Sequence, residues 1–149
     1  MRTHDVTDCC PQDMTGLAEA LVFEIADLLG EFASSGKGGA IDLRGLPMTE
    51  TDRAALAERL GRGEVQATVH VSGRSEVWET AYAGVWWVRH LGPEGQIVAE
   101  QIAVTLIPQF LVSHPDDVHV AARKLRSECP VIAPGTSAEH FERGEGTHA

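Results

Sequence analysis

The stretch EVQATVHVSGRSEVWETAYAGVWWVRHLGPEGQIVAEQIAVTLI, residues 64–107, decides the fold. Its opening alternates Val65, Ala67, Val69 and Val71 with Glu64, Gln66, Thr68 and His70, the period of two that belongs to a half-buried strand. Ser72-Gly73 predicts a tight turn into a second strand over Arg74 to Tyr82, running on from Val85 to Leu91 after a kink or bulge near Gly84. Gly92-Pro93-Glu94-Gly95 predicts the next turn, into a strand within Ile97 to Ile107 that Pro108 halts. An antiparallel meander of three to four strands follows.

Outside this run the period lengthens. Leu17, Leu21, Ile25, Leu28 and Phe32 recur at helical spacing, predicting a helix from Asp13, its cap, until the glycine- and serine-rich Gly30 to Gly39 stretch. Ile41 and Leu43 alternate with Asp42 and Arg44 in a short strand ended by Gly45 and Pro47. Thr49 caps a second helix, Glu50 to Leu60, that stops at Gly61. Ser113, Pro115 and Asp116 start a third, with Val118, Ala121, Ala122 and Leu125 as its buried stripe. The fold class is therefore α+β, a two-layer arrangement with helices covering the sheet. Leu17, Leu21, Ile25, Leu28, Leu56, Leu60, Val65, Val69, Val85, Val104, Leu106 and Leu125 are expected in one core. Residues 1–12 read as a flexible N-terminus, 13–134 as a single domain and 135–149 as a disordered tail.

Composition narrows the function. The chain has 149 residues with 12 basic against 22 acidic side chains, and a net charge of −10 opposes binding to phosphate backbones or anionic lipid. Nucleic acid and membrane are excluded as expected partners. No apolar stretch approaches the roughly 20 residues that span a bilayer, and Met1 to Pro11 lacks the apolar segment of a secretory signal. Three cysteines, Cys9, Cys10 and Cys129, form no even disulfide set, which fits a reducing, cytoplasmic location.

Candidates for chemistry are sparse. His70 and His90 fall on strands where they could meet across the sheet, although unrelated sheet-face histidines are the commoner case. His114 and His119, five apart, do not share a helical face, and His4, His140 and His148 fall in the terminal segments. Adjacent thiols at Cys9 and Cys10 are too few to hold a cluster without further ligands. Gly36-Lys37-Gly38-Gly39 lacks the preceding strand and the Gly-Lys-Ser/Thr ending of a phosphate loop. Glu64 and Glu79 are dispersed strand carboxylates with no base or nucleophile in fixed spacing, so no catalytic residue, resident metal or cofactor is assigned, and an enzyme is not expected.

Aromatic density lies elsewhere. Trp78, Tyr82, Trp86 and Trp87 hold every tryptophan and the only tyrosine. On a strand Trp86 and Trp87 point to opposite faces, so one is expected in the core and the other outward, as an anchor for a partner. Arg89 shares a face with Trp87 and would pair with a partner carboxylate.

The same segment carries a resemblance. Leu60-Gly61-Arg62-Gly63-Glu64-Val65-Gln66-Ala67, followed by Glu79-Thr80-Ala81-Tyr82-Ala83-Gly84-Val85-Trp86-Trp87-Val88-Arg89, resembles the HupH/HyaF hydrogenase expression family. That family joins an L-G-x-G-E-V-S strand start to an E-T-x-F-x-G-V-W-x-V-R strand. Asp42-Leu43-Arg44 with Leu46-Pro47 is similar to its upstream D-L-R-x-L-P, and Ile107-Pro108 to its closing I-P. The likeness spans about Ile41 to Leu125 and departs at Gln66, where serine is usual, and Trp87, where arginine is common. It implies an accessory role in [NiFe]-hydrogenase maturation. The implied partner is the iron–sulfur small subunit or another maturation factor, and the expected protein-binding residues are Trp78, Glu79, Thr80, Trp86, Trp87 and Arg89. A metal or iron–sulfur cluster carrier using Cys9, Cys10, Cys129 or His70 with His90 is the alternative. A free sheet edge also makes a homodimer plausible.

Overall fold

In the computed structural model, which describes residues 15–70 and 73–130, the deciding stretch folds into four strands: β2 (Gln66–His70), β3 (Arg74–Glu79), β4 (Val85–Leu91) and β5 (Ile97–Val104). β1 (Gly39–Asp42) pairs antiparallel with β5, Ile41 opposite Ile102, giving a five-stranded antiparallel sheet in the order β1-β5-β4-β3-β2. The α+β class stands, with one strand more than the expected three to four. The upstream strand Ile41–Leu43 looked isolated in sequence, and its pairing with β5 is a long-range contact that local pattern does not carry.

Two helices cover one sheet face. α1 (Leu17–Ser35) buries Ala18, Leu21 and Ile25, and α2 (Glu50–Leu60) buries Leu56 and Leu60. These join Ile41, Leu43, Trp78, Val85, Trp87 and Ile102 in one core, where each fully buried large side chain stabilises by about 1.5–3 kcal/mol. Gly30 does not stop α1, because one glycine costs only about 1 kcal/mol against a well-packed helix; the helix ends at Gly36, whose φ of 73° suits the left-handed cap. Gly38 then lets the chain enter β1, since a Cβ there would lie 2.3 Å from the Val104 carbonyl oxygen.

Thr49 caps α2 as expected, and the box is closed by Asp52. Asp52 also ties the two helix starts together, accepting from the Thr15 N–H at 3.0 Å and its hydroxyl at 2.8 Å. Burial pushes the Asp52 carboxyl upward, and the Thr15 and Thr49 hydrogen bonds outweigh that, leaving it below the ordinary aspartate range. The proposed Asp13 cap lies outside the described residues; Gly16 is the α1 N-cap.

No kink joins the second and third segments of the meander. The chain reverses at Tyr82–Val85, where the Val85 N–H donates to the Tyr82 carbonyl at 3.0 Å, and the Thr80 N–H closes the hairpin on the Val85 carbonyl at 2.9 Å. Gly84, with φ of 81°, is the residue that makes this reversal possible.

The opposite sheet face carries a second, smaller core of Val77, Trp86, Val88 and Ala103, with Ala67 and Leu111 against it. Leu111 comes from a 3₁₀ turn, Gln109–Leu111, that follows Pro108. The expectation of one core therefore gives way to two, one on each side of the sheet. Val65 and Leu106 are exposed because they fall just outside β2 and β5.

The chain divides into two units, Met1–Val112 and Ser113–Ala149. The described part of the second is α3 (Pro115–Glu128), capped by the His114 imidazole, which accepts from the Asp116 N–H at 3.3 Å. Its expected stripe is not buried: Val118, Ala121, Ala122 and Leu125 are all exposed, Leu125 at 66%. The flexible N-terminus at 1–12 and the tail at 135–149 lie outside the described residues. Among the described residues no helix is long and apolar enough to cross a membrane.

Candidate functional site

Strand register places the singled-out residues. Trp78 lies opposite Trp87 and Glu76 opposite Arg89 across β3 and β4, while Trp87 faces Ile102 and Arg89 faces Glu100 across β4 and β5. Trp78, Trp87, Arg89, Glu76 and Glu100 therefore share the helix-covered face. Glu79 and Trp86, one residue out of phase, share the other.

On the helix-covered face the two indoles stack, centroids 5.6 Å apart and planes 12° from parallel. Arg62, on the loop after α2, lays its guanidinium 4.2 Å over the Trp78 ring, and Arg89 approaches the same ring at 5.3 Å. Beneath them the Glu100 carboxylate has no exposed side-chain surface. Trp87 Nε1 donates to its Oε1 at 2.8 Å, Arg89 donates through Nε at 3.0 Å and Nη2 at 2.9 Å, and Arg53 donates to Oε2. A buried carboxylate persists only when so saturated. Burial holds the Arg89 guanidinium below its usual range; Glu76 opposes that, Arg53 and Arg62 add to it, and Glu50 again opposes. The group stays charged at any physiological pH.

The layer opens to solvent in two shallow grooves. One, of about 240 Å³, is lined by Glu50, Arg53, Arg62, Trp78 and Arg89 among others. The second, of about 320 Å³, runs along β2 and β3 beside Arg62, Arg74 and Trp78. Arg74 Nη2 pairs with Glu76 at 2.7 Å, and Arg89 reaches Glu76 at 3.9 Å.

One expectation is corrected here. Trp86 and Trp87 do point to opposite faces, yet neither ring is outward: Trp78, Trp86 and Trp87 are 7%, 5% and 1% exposed. The second core accounts for this, with Trp86 packed in it and its Nε1 donating to the Thr105 carbonyl at 3.1 Å. Thr80 is buried as well, its hydroxyl accepting from the Tyr82 N–H at 3.2 Å and so shaping the hairpin. Glu79 accepts from the Gly84 N–H at 3.1 Å. Of the six named residues, Glu79 and Arg89 remain partly open, and of the clustered Trp78, Tyr82, Trp86 and Trp87 it is Tyr82, 52% exposed, that faces solvent.

Residues that pattern reading passed over are Arg53, Arg62, Arg74 and Glu100. Glu100 had a signal, since it is in phase with Ile102 and Val104 on a strand whose neighbour carries Trp87 and Arg89. Arg62 had none, because its contact with Trp78 depends on where α2 ends.

The histidine pair does not form. His70 aligns with Arg74 and through it with Leu91, whereas His90 aligns with Ser75, so the two imidazoles lie on opposite faces with β3 between. His90 Nδ1 instead meets the Ser75 hydroxyl at 2.7 Å, and its ring sits edge-on to Phe110. Cys129 is exposed, and Cys9 and Cys10 lie outside the described residues. Among the described residues no group of three His, Cys, Asp or Glu is placed to hold a metal ion.

Comparison with known proteins places residues 16–132 in the family described as HupH hydrogenase expression protein, C-terminal conserved region. The chain is 33% identical over 87 residues to the hydrogenase expression/formation protein HoxQ of Azotobacter vinelandii, a match covering 58% of this chain and 31% of that protein. To HupQ of Azotobacter chroococcum mcd 1 it is 30% identical over 118 residues, covering 78% of this chain and 41% of the relative. The solved structure of a hydrogenase expression protein HupH from Thiobacillus denitrificans ATCC 25259 superposes with a TM-score of 0.73 at 37% identity, covering 76% of this chain and 94% of the other. The chain thus spans about a third to two fifths of the length of the curated relatives it matches.

Proposed function

The chain belongs to the HupH hydrogenase expression protein family, and we propose on that premise that it is an accessory protein of [NiFe]-hydrogenase maturation. In this role it binds a hydrogenase subunit, the iron–sulfur small subunit foremost, or another maturation factor, in the cytoplasm and before the subunits assemble. The observation that supports this best is the Arg62–Trp78–Trp87–Arg89 layer, a stacked aromatic pair clamped by guanidinium groups and opening onto a groove. Arginine and tryptophan are the residue types most enriched at interface hot spots.

The buried rings Trp78 and Trp87 hold this surface in shape, while Arg62 and Arg89 present its polar groups; Glu79 and Trp86 belong to the opposite face of the sheet, and Thr80 shapes the hairpin between β3 and β4. Affinity purification of the tagged chain from a hydrogenase-producing cell tests it. A hydrogenase component should be recovered with the wild type and depleted about tenfold or more by Arg62→Ala combined with Arg89→Ala. Failure to recover any such component across several salt concentrations would overturn the proposal.

A further inference from the structure

β2 is an edge of the sheet, and among the described residues no strand pairs with its outer side. The Glu79 N–H donates to the Val65 carbonyl at 2.9 Å, and the Gln66–Trp78 register continues back to Val65 opposite Glu79. Hydrogen-bonded pairs in an antiparallel ladder alternate, so Ala67 and Val69 spend their main-chain groups on β3, as the Val65 carbonyl does. The N–H and C=O groups of Gln66, Thr68 and His70 point away from the sheet, and all three residues are exposed.

Natural edges are normally blunted by lysine, proline, a bulge or an inward charge. β2 has none of these within Gln66–His70, and its pairing with β3 runs unbroken. The groove of about 320 Å³ flanks this edge, lined by Arg62, Gln66, Thr68, Arg74, Glu76 and Trp78. Arg62 is fixed over the Trp78 ring and pairs with no carboxylate among the described residues. Around the groove and its neighbour, Arg53, Arg62, Arg74 and Arg89 outnumber Glu50, Glu76 and Glu100, a local cationic excess on a chain whose net charge is −10. A stacked guanidinium keeps its in-plane N–H donors free for a carboxylate fork.

We propose that the β2 edge takes up an extended acidic segment of a partner protein as a sixth strand, with a carboxylate of that segment held by Arg62 over Trp78. Main-chain pairing supplies the generic grip, and alternate side chains of the added strand face the groove, where Arg62 and Arg74 select acidic residues. This deepens the maturation proposal, on which the partner's identity rests, by stating the chemistry of the bound segment.

The test is an amide-resolved NMR titration with a blocked peptide of alternating glutamate and valine. Shifts should centre on Gln66, Thr68, His70 and Arg62. Arg62→Glu should weaken binding about tenfold or more. Thr68→Pro should abolish it, since proline there removes an outward N–H and no ladder bond. Replacing glutamate by lysine in the peptide should also abolish binding. If Thr68→Pro fails to fold, a peptide methylated on alternate main-chain nitrogens removes the same hydrogen bonds from the other side, and equal binding by both peptides would sink the proposal. So would the absence of titration, shifts centred elsewhere, or self-association through this edge that excludes the peptide. Should the wild type and both variants recover a hydrogenase component equally from cells, the edge proposal fails and the maturation role stands. Should the peptide bind as described while no component is recovered, the maturation role fails and the edge stands.

Discussion

Removing the Glu100 carboxylate probes the centre of the site most directly. In Glu100→Ala three donors lose their acceptor at once: the Trp87 indole N–H, the Arg89 guanidinium and Arg53. Breaking a buried ion pair by deleting one partner costs about 3–5 kcal/mol. The Arg53 and Arg89 side chains keep 21% and 26% of their surface in water, so part of the loss is recovered by hydration and the low end, about 3 kcal/mol, is expected. With a urea slope of about 1–3 kcal/mol per molar, the unfolding midpoint should fall by about 1–3 M. Deleting Arg89 in the same chain should recover part of that, because one stranded cation is gone. Urea titrations of the two single variants and the double variant, followed by tryptophan fluorescence, read all of this. A loss under about 1 kcal/mol for Glu100→Ala, or strict additivity in the double variant, would show that the arginines are paired with water and that the buried carboxylate does not organise the layer.

Trp86→Ala and Trp87→Ala should each cost about 3–5 kcal/mol in chemical denaturation, because each ring fills a core on its own side of the sheet; a near-neutral result for either would restore an outward ring. Leu21→Ala should cost about 2–5 kcal/mol, whereas Leu125→Ala should stay within about 0.5 kcal/mol, a contrast measurable in one set of melts. The Asp52 carboxyl is depressed in the folded chain, so its stabilisation is complete above the unfolded aspartate range, near 3.9, and is lost as pH falls through its lower folded value. Asp52→Asn should accordingly flatten the acid limb of the stability profile, and an unchanged limb would show the hydrogen bonds from Thr15 and Thr49 do not favour the charged form.

How much of this could be read in advance depended on range. Thr49 with Glu50 to Leu60 named its own helix, because a capping residue and a terminating glycine act within a few residues of themselves. The Gly92–Gly95 turn was equally local. The pairing of Ile41 with Ile102 was hidden, since it depends on a strand some sixty residues away. Burial of both Trp86 and Trp87 was hidden for a related reason: alternation states which side a ring takes, and only the tertiary fold states whether that side is covered. At α3 the helical period was real and Pro115 and Asp116 do stand in its first turn, with His114 and not Ser113 as the cap, yet amphipathic spacing reports an available apolar stripe, not an occupied one.

Consecutive indoles at 86 and 87 constrain the chain in time as well as in space. Each carries a single N–H, and each finds one acceptor, Thr105 on one side of the sheet and Glu100 on the other. A one-residue slip of β4 would exchange the rings between the two cores and strand both donors away from water; a two-residue slip would carry Arg89 off Glu100. Every misaligned hairpin is thus penalised on two faces simultaneously. The strand proofreads its own alignment during folding, and errors there should dissolve before the rest of the sheet can build on them.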